Sequence, residues 1–185
     1  FKGGFSTNPY VIIRDFDRSA PLGTGKYKVG GNYAASMQAN HLAHEKGYAC
    51  EFYLDAKEKK YMDECGAANF FGIKNNTYVT PKSTSILPSI TNKSLMQLAE
   101  DFGMKVERRQ IPEEELETFE EAGACGTAAV ISPISYIDDI DTGKRFTFSK
   151  DGKPGPVSLK LYTQLRNIQY GIEPDTHGWT KVIIE

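Results

Sequence analysis

The sequence has few cysteines, no excess of either charge and no long apolar run, and each absence excludes a class of protein. Its three cysteines form no CxxC pair, so neither a disulfide scaffold nor a cysteine zinc site is indicated. With 22 Lys and Arg against 24 Asp and Glu, the net charge of -2 gives no overall attraction to nucleic acid. No apolar run approaches the roughly 20 residues that span a bilayer, and residues 1–16 are typical of a folded domain rather than a leader. We therefore expect a soluble, cytoplasmic domain with neither nucleic acid nor membrane as a partner.

Hydrophobic periodicity predicts one mixed α/β domain over residues 1–185. Apolar residues at helical spacing predict helices over 32–47, from about Thr91, and over 156–170. Asn75-Asn76 predicts a hairpin turn between two strands. The remaining predictions are an acidic helix over 112–121 and strands over 10–13, 49–54, 60–62, 69–73, 78–80, 105–109, 128–134 and 179–184. Helices and strands alternate without a repeat or an interdomain linker, as in a single domain.

Three motifs resemble binding sites but lack a required residue. Gly23-Thr-Gly-Lys26 is no P-loop, because the glycine and the Ser or Thr that should flank it are missing. His41 and His44 lie one helical turn apart, but neither an HExxH arrangement nor a third ligand accompanies them, so no metal site is predicted. The aspartates within 138–141 lack EF-hand spacing, and a hairpin turn explains them better.

Four other segments combine small residues with groups that could bind a ligand. Lys28-Val-Gly-Gly-Asn-Tyr33 precedes a helix, and its glycines allow close approach of the backbone to a ligand. Glu64-Cys-Gly-Ala-Ala-Asn69 places an acid before small residues within a β region. Ala124-Cys-Gly-Thr-Ala-Ala129 and the helix start Leu87-Pro-Ser-Ile-Thr91 can each offer backbone N–H groups to an anion. Without further information, a lysine in such a position is more often solvated than reactive, and this holds for Lys28.

Taken in this order, these segments resemble the second, C-terminal domain of the branched-chain amino acid aminotransferases, a family of fold-type IV pyridoxal phosphate enzymes. The resemblance runs from Phe1 to the end of the chain and includes the segments 168–171 and 177–179. KVGGNYAAS at 28–36 is its most specific part, because relatives on the same fold usually lack GGNY after the lysine. The resemblance implies a mixed α/β pseudo-barrel domain of the D-amino acid aminotransferase-like fold.

The resemblance assigns three side chains to pyridoxal 5′-phosphate. Lys28 matches the lysine that attaches the cofactor covalently and, once released, moves the substrate α-proton. Tyr33 matches the tyrosine that hydrogen-bonds the pyridine 3′-oxygen. Glu64 matches the acid that faces the pyridine nitrogen and keeps it protonated. A lysine is a nucleophile only when unprotonated, so an enclosed site that disfavours its cation is expected around Lys28.

The resemblance assigns the remaining site residues to the phosphate and to the substrate. Ile90 and Thr91 match the helix start whose backbone amides hold the phosphate, where the helix dipole favours negative charge. Thr127 matches a further phosphate-binding residue, and the amides of Thr127 and Ala128 are expected to face the substrate carboxylate. Arg18 falls on a family arginine, which we assign to the cofactor site.

One departure concerns the residue just before the helix start. Ser89 stands where the family more commonly has glycine, and we expect Pro88 to fix the turn instead. A second departure is that the mammalian enzymes carry a CxxC pair where this chain has Ala129 and Ser132, so thiol regulation of that kind is not expected.

The resemblance implies a transaminase of branched-chain amino acid biosynthesis, which exchanges the amino group of leucine, isoleucine or valine with 2-oxoglutarate. Its small-molecule partners would be amino acids and 2-oxo acids, and homodimers are usual in the family. Family members also carry an N-terminal domain of comparable size that supplies most of the substrate side-chain pocket. We therefore expect this chain to be a fragment, weak or inactive alone. The alternatives are a D-amino acid transaminase, an aminodeoxychorismate lyase-like enzyme, and a catalytically idle isolated domain.

Overall fold

The computed structural model describes residues 5–183, and its regular elements alternate between strands and helices. The helices are α1 (Gly30–Glu45), α2 (Ile90–Asp101) and α3 (Pro156–Gln169), with a short 3-10 helix at Glu113–Thr118. The strands are β1 (Asn8–Ile12), β2 (Cys50–Leu54), β3 (Met62–Cys65), β4 (Ala68–Lys74), β5 (Thr77–Pro81), β6 (Lys105–Arg109), β7 (Glu121–Gly126), β8 (Val130–Asp139) and β9 (Lys144–Thr147). Within residues 5–183, no helix has the length and apolar composition needed to cross a membrane.

Six strands close into a barrel. They pair in the order β3, β2, β1, β8, β7, β4, and β4 pairs back with β3 to complete the ring. β5 and β6 extend the sheet beyond β4, while β9 pairs with β8. Large apolar side chains such as Phe52, Phe70 and Ile137 form the cluster that fills the barrel. The predicted pseudo-barrel architecture is thereby confirmed.

The helices cover the outside of the barrel in two groups. Residues alternate between the two faces of a strand, so Phe70 points inward while Phe71 points outward and packs with Leu95 of α2 and Leu161 of α3. α1 packs separately, through Ala39 and its neighbours, against the outer faces of β1 and β2. Between these two helical layers, the outer face around β3 carries polar side chains.

Most predicted elements lie within about two residues of their observed bounds, but two predictions are wrong. The three α-helices are confirmed, as is the turn at Asn75-Asn76, where both residues have positive φ angles of 48° and 55°. The helix predicted over 112–121 ends early as a 3-10 turn, and a strand that was not predicted begins at Glu121. Residues 179–183 form no strand, contrary to the prediction for 179–184, and residue 184 lies outside the described residues.

The motifs that sequence reasoning set aside have local structural roles. His44 contacts the backbone oxygen of Ala49 through Nε2 at 3.1 Å, and His41 pairs with Glu45 on the same helix. Among residues 5–183, no group of three His, Cys, Asp or Glu side chains could hold a metal ion. Asp139 accepts a hydrogen bond from the backbone N–H of Asp141, within the hairpin that joins β8 to β9.

Glu121 of β7 caps the N-terminus of α3 from outside the helix, a role that the acidic segment did not predict. Glu121 is only 7% exposed. One oxygen accepts a hydrogen bond from the Val157 N–H at 2.9 Å, and the other accepts from the Ser158 N–H at 2.8 Å. These are N–H groups without partners inside the helix, and the helix dipole adds to the attraction. Glu121 therefore fixes α3 to the barrel.

Replacing Glu121 with glutamine should lower the free energy of unfolding by about 1–3 kcal/mol, because the amide NH2 cannot accept from the second N–H group. Urea denaturation of Glu121→Gln measures this loss. The matched control is Glu100→Gln on the exposed surface of α2, where a change within about 0.5 kcal/mol is expected. Equal stabilities of the two variants would contradict the capping role.

Candidate active site

A buried carboxylate, Glu64, occupies the outer face of the barrel between the two helical layers. Glu64 on β3 lies opposite Asn69 on β4, and both side chains face outward because Phe70 faces the interior. Asn69 Nδ2 donates to Glu64 Oε1 at 2.9 Å, and the Leu87 N–H approaches Glu64 Oε2 at 3.5 Å. Only 3% of Glu64 is exposed. The strand register therefore fixes one acidic group beside the loop that leads into α2.

Arg18 joins this carboxylate to two loops. Its Nη2 atom lies 2.7 Å from Glu64 Oε2, and it also donates to the backbone oxygens of Gly25, at 3.0 Å, and Ser85. Gly25 lies in the loop before Lys28, and Ser85 lies in the loop before α2. The buried guanidinium thereby ties the segments that precede both helices to Glu64.

Burial and charge act in opposite directions on Glu64. Burial raises the pKa of Glu64 to about 8, because the ionised form loses water, while the positive charge of Arg18 opposes this rise. A further cationic N–H group beside the carboxylate would favour the ionised form. The Glu64 carboxylate is therefore suited to holding a proton on a basic ring nitrogen placed beside it.

Lys28 lies at the end of a loop that the side chain of Asn32 holds in place. Asn32 donates to the backbone oxygens of Thr24 and Tyr27 at 2.9 and 2.8 Å, and accepts from the Thr24 hydroxyl. Lys28 is two residues before α1, and Tyr33 is half-buried in the first turn of that helix. Lys28 is exposed, so residues 5–183 do not by themselves provide the enclosure that was expected around it.

The start of α2 offers backbone N–H groups to solvent. Ile90 and Thr91 are its first residues, Ile90 is 73% exposed, and the first N–H groups of a helix have no partner within it. Ser89 is the N-cap, since its side chain accepts from the Asn92 N–H at 3.2 Å. The serine that replaces the commoner glycine therefore has a capping role, which sequence reasoning about Pro88 missed.

The turn between β7 and β8 carries the remaining predicted residues. Cys125 pairs with Asn69 across the β4–β7 ladder, and the exposed Thr127 and Ala128 follow in the turn. The turn ends in a strained residue, since Val130 has a φ angle of 62°. The β4–β7 pairing therefore places this turn next to Asn69, which is the hydrogen-bond partner of Glu64.

The structure brings the predicted residues together to different degrees. Arg18 and Glu64 are in direct contact, whereas the segments of Lys28 and Ile90 are connected to that pair through backbone oxygens. Sequence reasoning missed Asn69 as a partner of Glu64. A polar residue next to the apolar residues of β4 could have indicated such a role. Other missed residues, which no motif indicated, are Asp63, Ser83 and Ser85, and these bond to one another beside the site.

Residues 3–137 match the model of the family described as amino-transferase class IV. The branched-chain-amino-acid aminotransferase of Haemophilus influenzae is 47% identical over 186 residues, which covers 97% of this chain and 53% of that protein. The Helicobacter pylori protein of the same name is 48% identical over 182 residues, with 97% of this chain and 52% of the relative covered. The chain therefore spans about half the length of the curated relatives it matches.

Solved structures of similar fold include a T.th. branched-chain amino acid aminotransferase complexed with N-(5'-phosphopyridoxyl)-L-glutamate. That structure superposes with a TM-score of 0.81 at 28% identity, covering 94% of this chain and 55% of the other. The Escherichia coli branched-chain amino acid aminotransferase gives the same TM-score and identity, with 94% and 56% covered. The similarity to both extends over nearly all of the described residues.

Proposed function

Because the chain belongs to the amino-transferase class IV family, we propose that it carries the cofactor site of a pyridoxal phosphate-dependent branched-chain amino acid aminotransferase. The observation that carries the proposal is the Arg18–Glu64 pair, which ties the Lys28 loop and the loop before α2 to one buried carboxylate. The names of the similar proteins from Haemophilus influenzae and Helicobacter pylori support the substrate class.

The residues present fit pyridoxal phosphate in three respects. A buried carboxylate suits a protonated ring nitrogen, because burial strengthens the interaction between opposite charges. The start of α2 suits a phosphate group, since its unpartnered N–H groups and its dipole both favour negative charge. The exposed amine of Lys28 is accessible for covalent attachment. When bound, the cofactor supplies an electron sink for charge at the substrate α-carbon.

Each predicted residue then has a distinct task. Lys28 would attach the cofactor covalently, and its free amine would move a proton between the substrate α-carbon and the cofactor C4′ atom. Glu64 holds a proton on the ring nitrogen, and Tyr33 donates a hydrogen bond to the 3′-oxygen. The other residues hold the anions: Ile90, Thr91 and Thr127 for the phosphate, and the amides of Thr127 and Ala128 for the substrate carboxylate. Arg18 contributes to the cofactor site by pairing with Glu64.

The proposed reaction transfers the amino group of leucine, isoleucine or valine to 2-oxoglutarate in two half-reactions. The proposed setting is a homodimer in the cytoplasm. Unpaired thiols at Cys50, Cys65 and Cys125 support a reducing compartment. Exposed apolar residues support an interface, among them Leu22 at 92% and Met37 at 70% exposure. In this proposal, protein outside the described residues encloses Lys28 and shapes the pocket for the substrate side chain.

The test uses the protein produced from its complete reading frame and loaded with pyridoxal phosphate. Initial rates with 2-oxoglutarate are compared for L-leucine, L-isoleucine, L-valine and D-alanine. We expect kcat/KM for the branched L-amino acids to exceed that for D-alanine by at least about 100-fold, which corresponds to about 2.7 kcal/mol of transition-state discrimination. A preference for D-alanine would instead establish a D-amino acid transaminase, and cofactor binding without turnover would indicate an idle domain.

A further inference from the structure

Asp63 is a buried acid beside the site to which the proposed function gives no task. It precedes Glu64 on β3 and is 4% exposed. The Ser83 hydroxyl donates to its Oδ1 atom at 2.6 Å, and the Ser85 hydroxyl donates to its Oδ2 atom. Both serines belong to the segment 82–89 that connects β5 to α2, which is called the β5–α2 loop below. A buried carboxylate therefore binds the loop that leads to the proposed phosphate site.

The Asp63 contacts set the internal conformation of the β5–α2 loop. Ser83 Oγ donates to Asp63 and also accepts from the Ser85 N–H at 3.2 Å, so carboxylate, hydroxyl and backbone form one connected unit. The Ser85 backbone oxygen, in turn, accepts from Arg18. Both ends of the loop are also anchored, since the Lys82 N–H donates to the Arg109 oxygen, and the Leu87 oxygen accepts from Asn69. Asp63 thus holds the middle of a loop whose ends are fixed separately.

The serine hydroxyls are committed to Asp63 rather than available to a ligand. Each hydroxyl has one hydrogen to donate, and both hydroxyls contact Asp63 and lie 2.8 Å from each other, so their hydrogens are used within this cluster. A phosphate bound at the start of α2 would therefore be held by the backbone N–H groups of Ile90 and Thr91. The position of those amides depends on the loop that precedes them.

We propose that Asp63 is a positioning residue for phosphate recognition: through Ser83 and Ser85 it sets the β5–α2 loop so that the amides of Ile90 and Thr91 face the phosphate. The inference rests on the proposed function, because it takes pyridoxal phosphate as the ligand. Asp63 itself contacts no part of the ligand in this scheme. Its loss should therefore weaken the phosphate contribution to binding while leaving binding of the pyridine ring unchanged.

The experiment compares pyridoxal 5′-phosphate with pyridoxal, which lacks the phosphate, on the full-length protein. Dissociation constants are measured for the wild type, for Asp63→Asn and for the double variant Ser83→Ala with Ser85→Ala. Asp63→Asn keeps one acceptor oxygen and should weaken pyridoxal phosphate binding about tenfold, the effect expected from losing one hydrogen bond. The double variant should weaken it by about 10–100-fold. Affinity for pyridoxal should stay within about twofold in both variants.

Asp138→Asn is the matched control, because Asp138 is another buried acid that binds the side chains of Tyr48 and Arg145 away from the site. It should change the urea midpoint but keep the wild-type ratio of the two affinities. Equal weakening of both ligands, or no weakening of either, in the Asp63 and serine variants would overturn the positioning role and leave the proposed function standing. A wild-type protein that does not prefer pyridoxal phosphate to pyridoxal would overturn both.

Discussion

Lys28→Ala is expected to abolish covalent attachment of pyridoxal phosphate and to reduce turnover by at least about 10⁴-fold, since one amine both attaches the cofactor and moves the α-proton. The measurement is borohydride reduction of the loaded protein followed by mass mapping of its peptides. In the wild type, the phosphopyridoxyl group should appear on the peptide that contains Lys28. In the variant, reduction should leave that peptide unmodified, and the visible absorbance of the bound cofactor should be lost.

Lys26→Ala is the matched control for Lys28. Lys26 is an exposed lysine of the same loop, two residues earlier, with its amine 5.2 Å from the centroid of the Tyr27 ring. This variant should retain labelling of Lys28 and turnover within about twofold. Labelling of Lys26 or of another lysine, with Lys28 unmodified, would show that the assignment is wrong. A small primary amine such as methylamine, added to Lys28→Ala, should restore part of the proton transfer if the amine is what the variant lacks.

Local signals in the sequence were sufficient to place the helices and the segments that precede them. Helical periodicity depends on residues three and four apart, so it located α2 within one residue of its observed start at Ile90. The same locality explains why the loop of Lys28 could be placed directly before α1. The turn at Asn75 and Asn76 could also be predicted locally, because asparagine tolerates the left-handed conformation that both residues adopt.

Nonlocal pairing could not be predicted from spacing. The barrel forms because β1 pairs with β8 and β4 pairs with β7, contacts between distant segments that no local periodicity encodes. β7 was missed because its inward residues are alanines, such as Ala122 and Ala124, which give no strong apolar alternation. Gly123 between them is required by close packing, since a Cβ there would lie 2.5 Å from the Phe71 ring. The small residues that permit tight packing of the barrel are therefore the reason that β7 was not predicted.

At the site, too, single residues could be predicted from the sequence, but the contacts between them could not. The resemblance named Glu64 and Arg18 separately, but it gave no indication that they form a buried ion pair with Nη2 and Oε2 2.7 Å apart. Their contact depends on how the loop after β1 folds back over β3, which is a tertiary property. Asp63 and its serines were not found for the same reason, because their bonds connect a strand with a distant loop.

Glu64→Gln is expected to reduce kcat/KM by about 10²–10³-fold, or about 2.7–4 kcal/mol of transition-state stabilisation, because a neutral amide cannot balance a protonated ring nitrogen. The carboxylate favours protonation of the nitrogen through charge pairing, so its removal lowers the pKa of the nitrogen. The residual activity of the variant should therefore be highest at lower pH than in the wild type. Full pH profiles of kcat and kcat/KM measure both effects.

Glu64→Asp and Glu121→Gln separate charge at the site from the general cost of altering a buried acid. Glu64→Asp keeps the negative charge on a shorter side chain, so it should recover part of the lost rate and the wild-type pH dependence. Glu121→Gln removes a buried carboxylate from the cap of α3, away from Arg18, and should cost stability without moving the pH profile. If Glu64→Gln and Glu121→Gln shift the profile alike, or if Glu64→Gln leaves the rate unchanged, the carboxylate at position 64 does not hold the ring proton. Because only a charge-based role predicts a shifted profile together with rescue by aspartate, the three variants distinguish catalysis from packing at this strand.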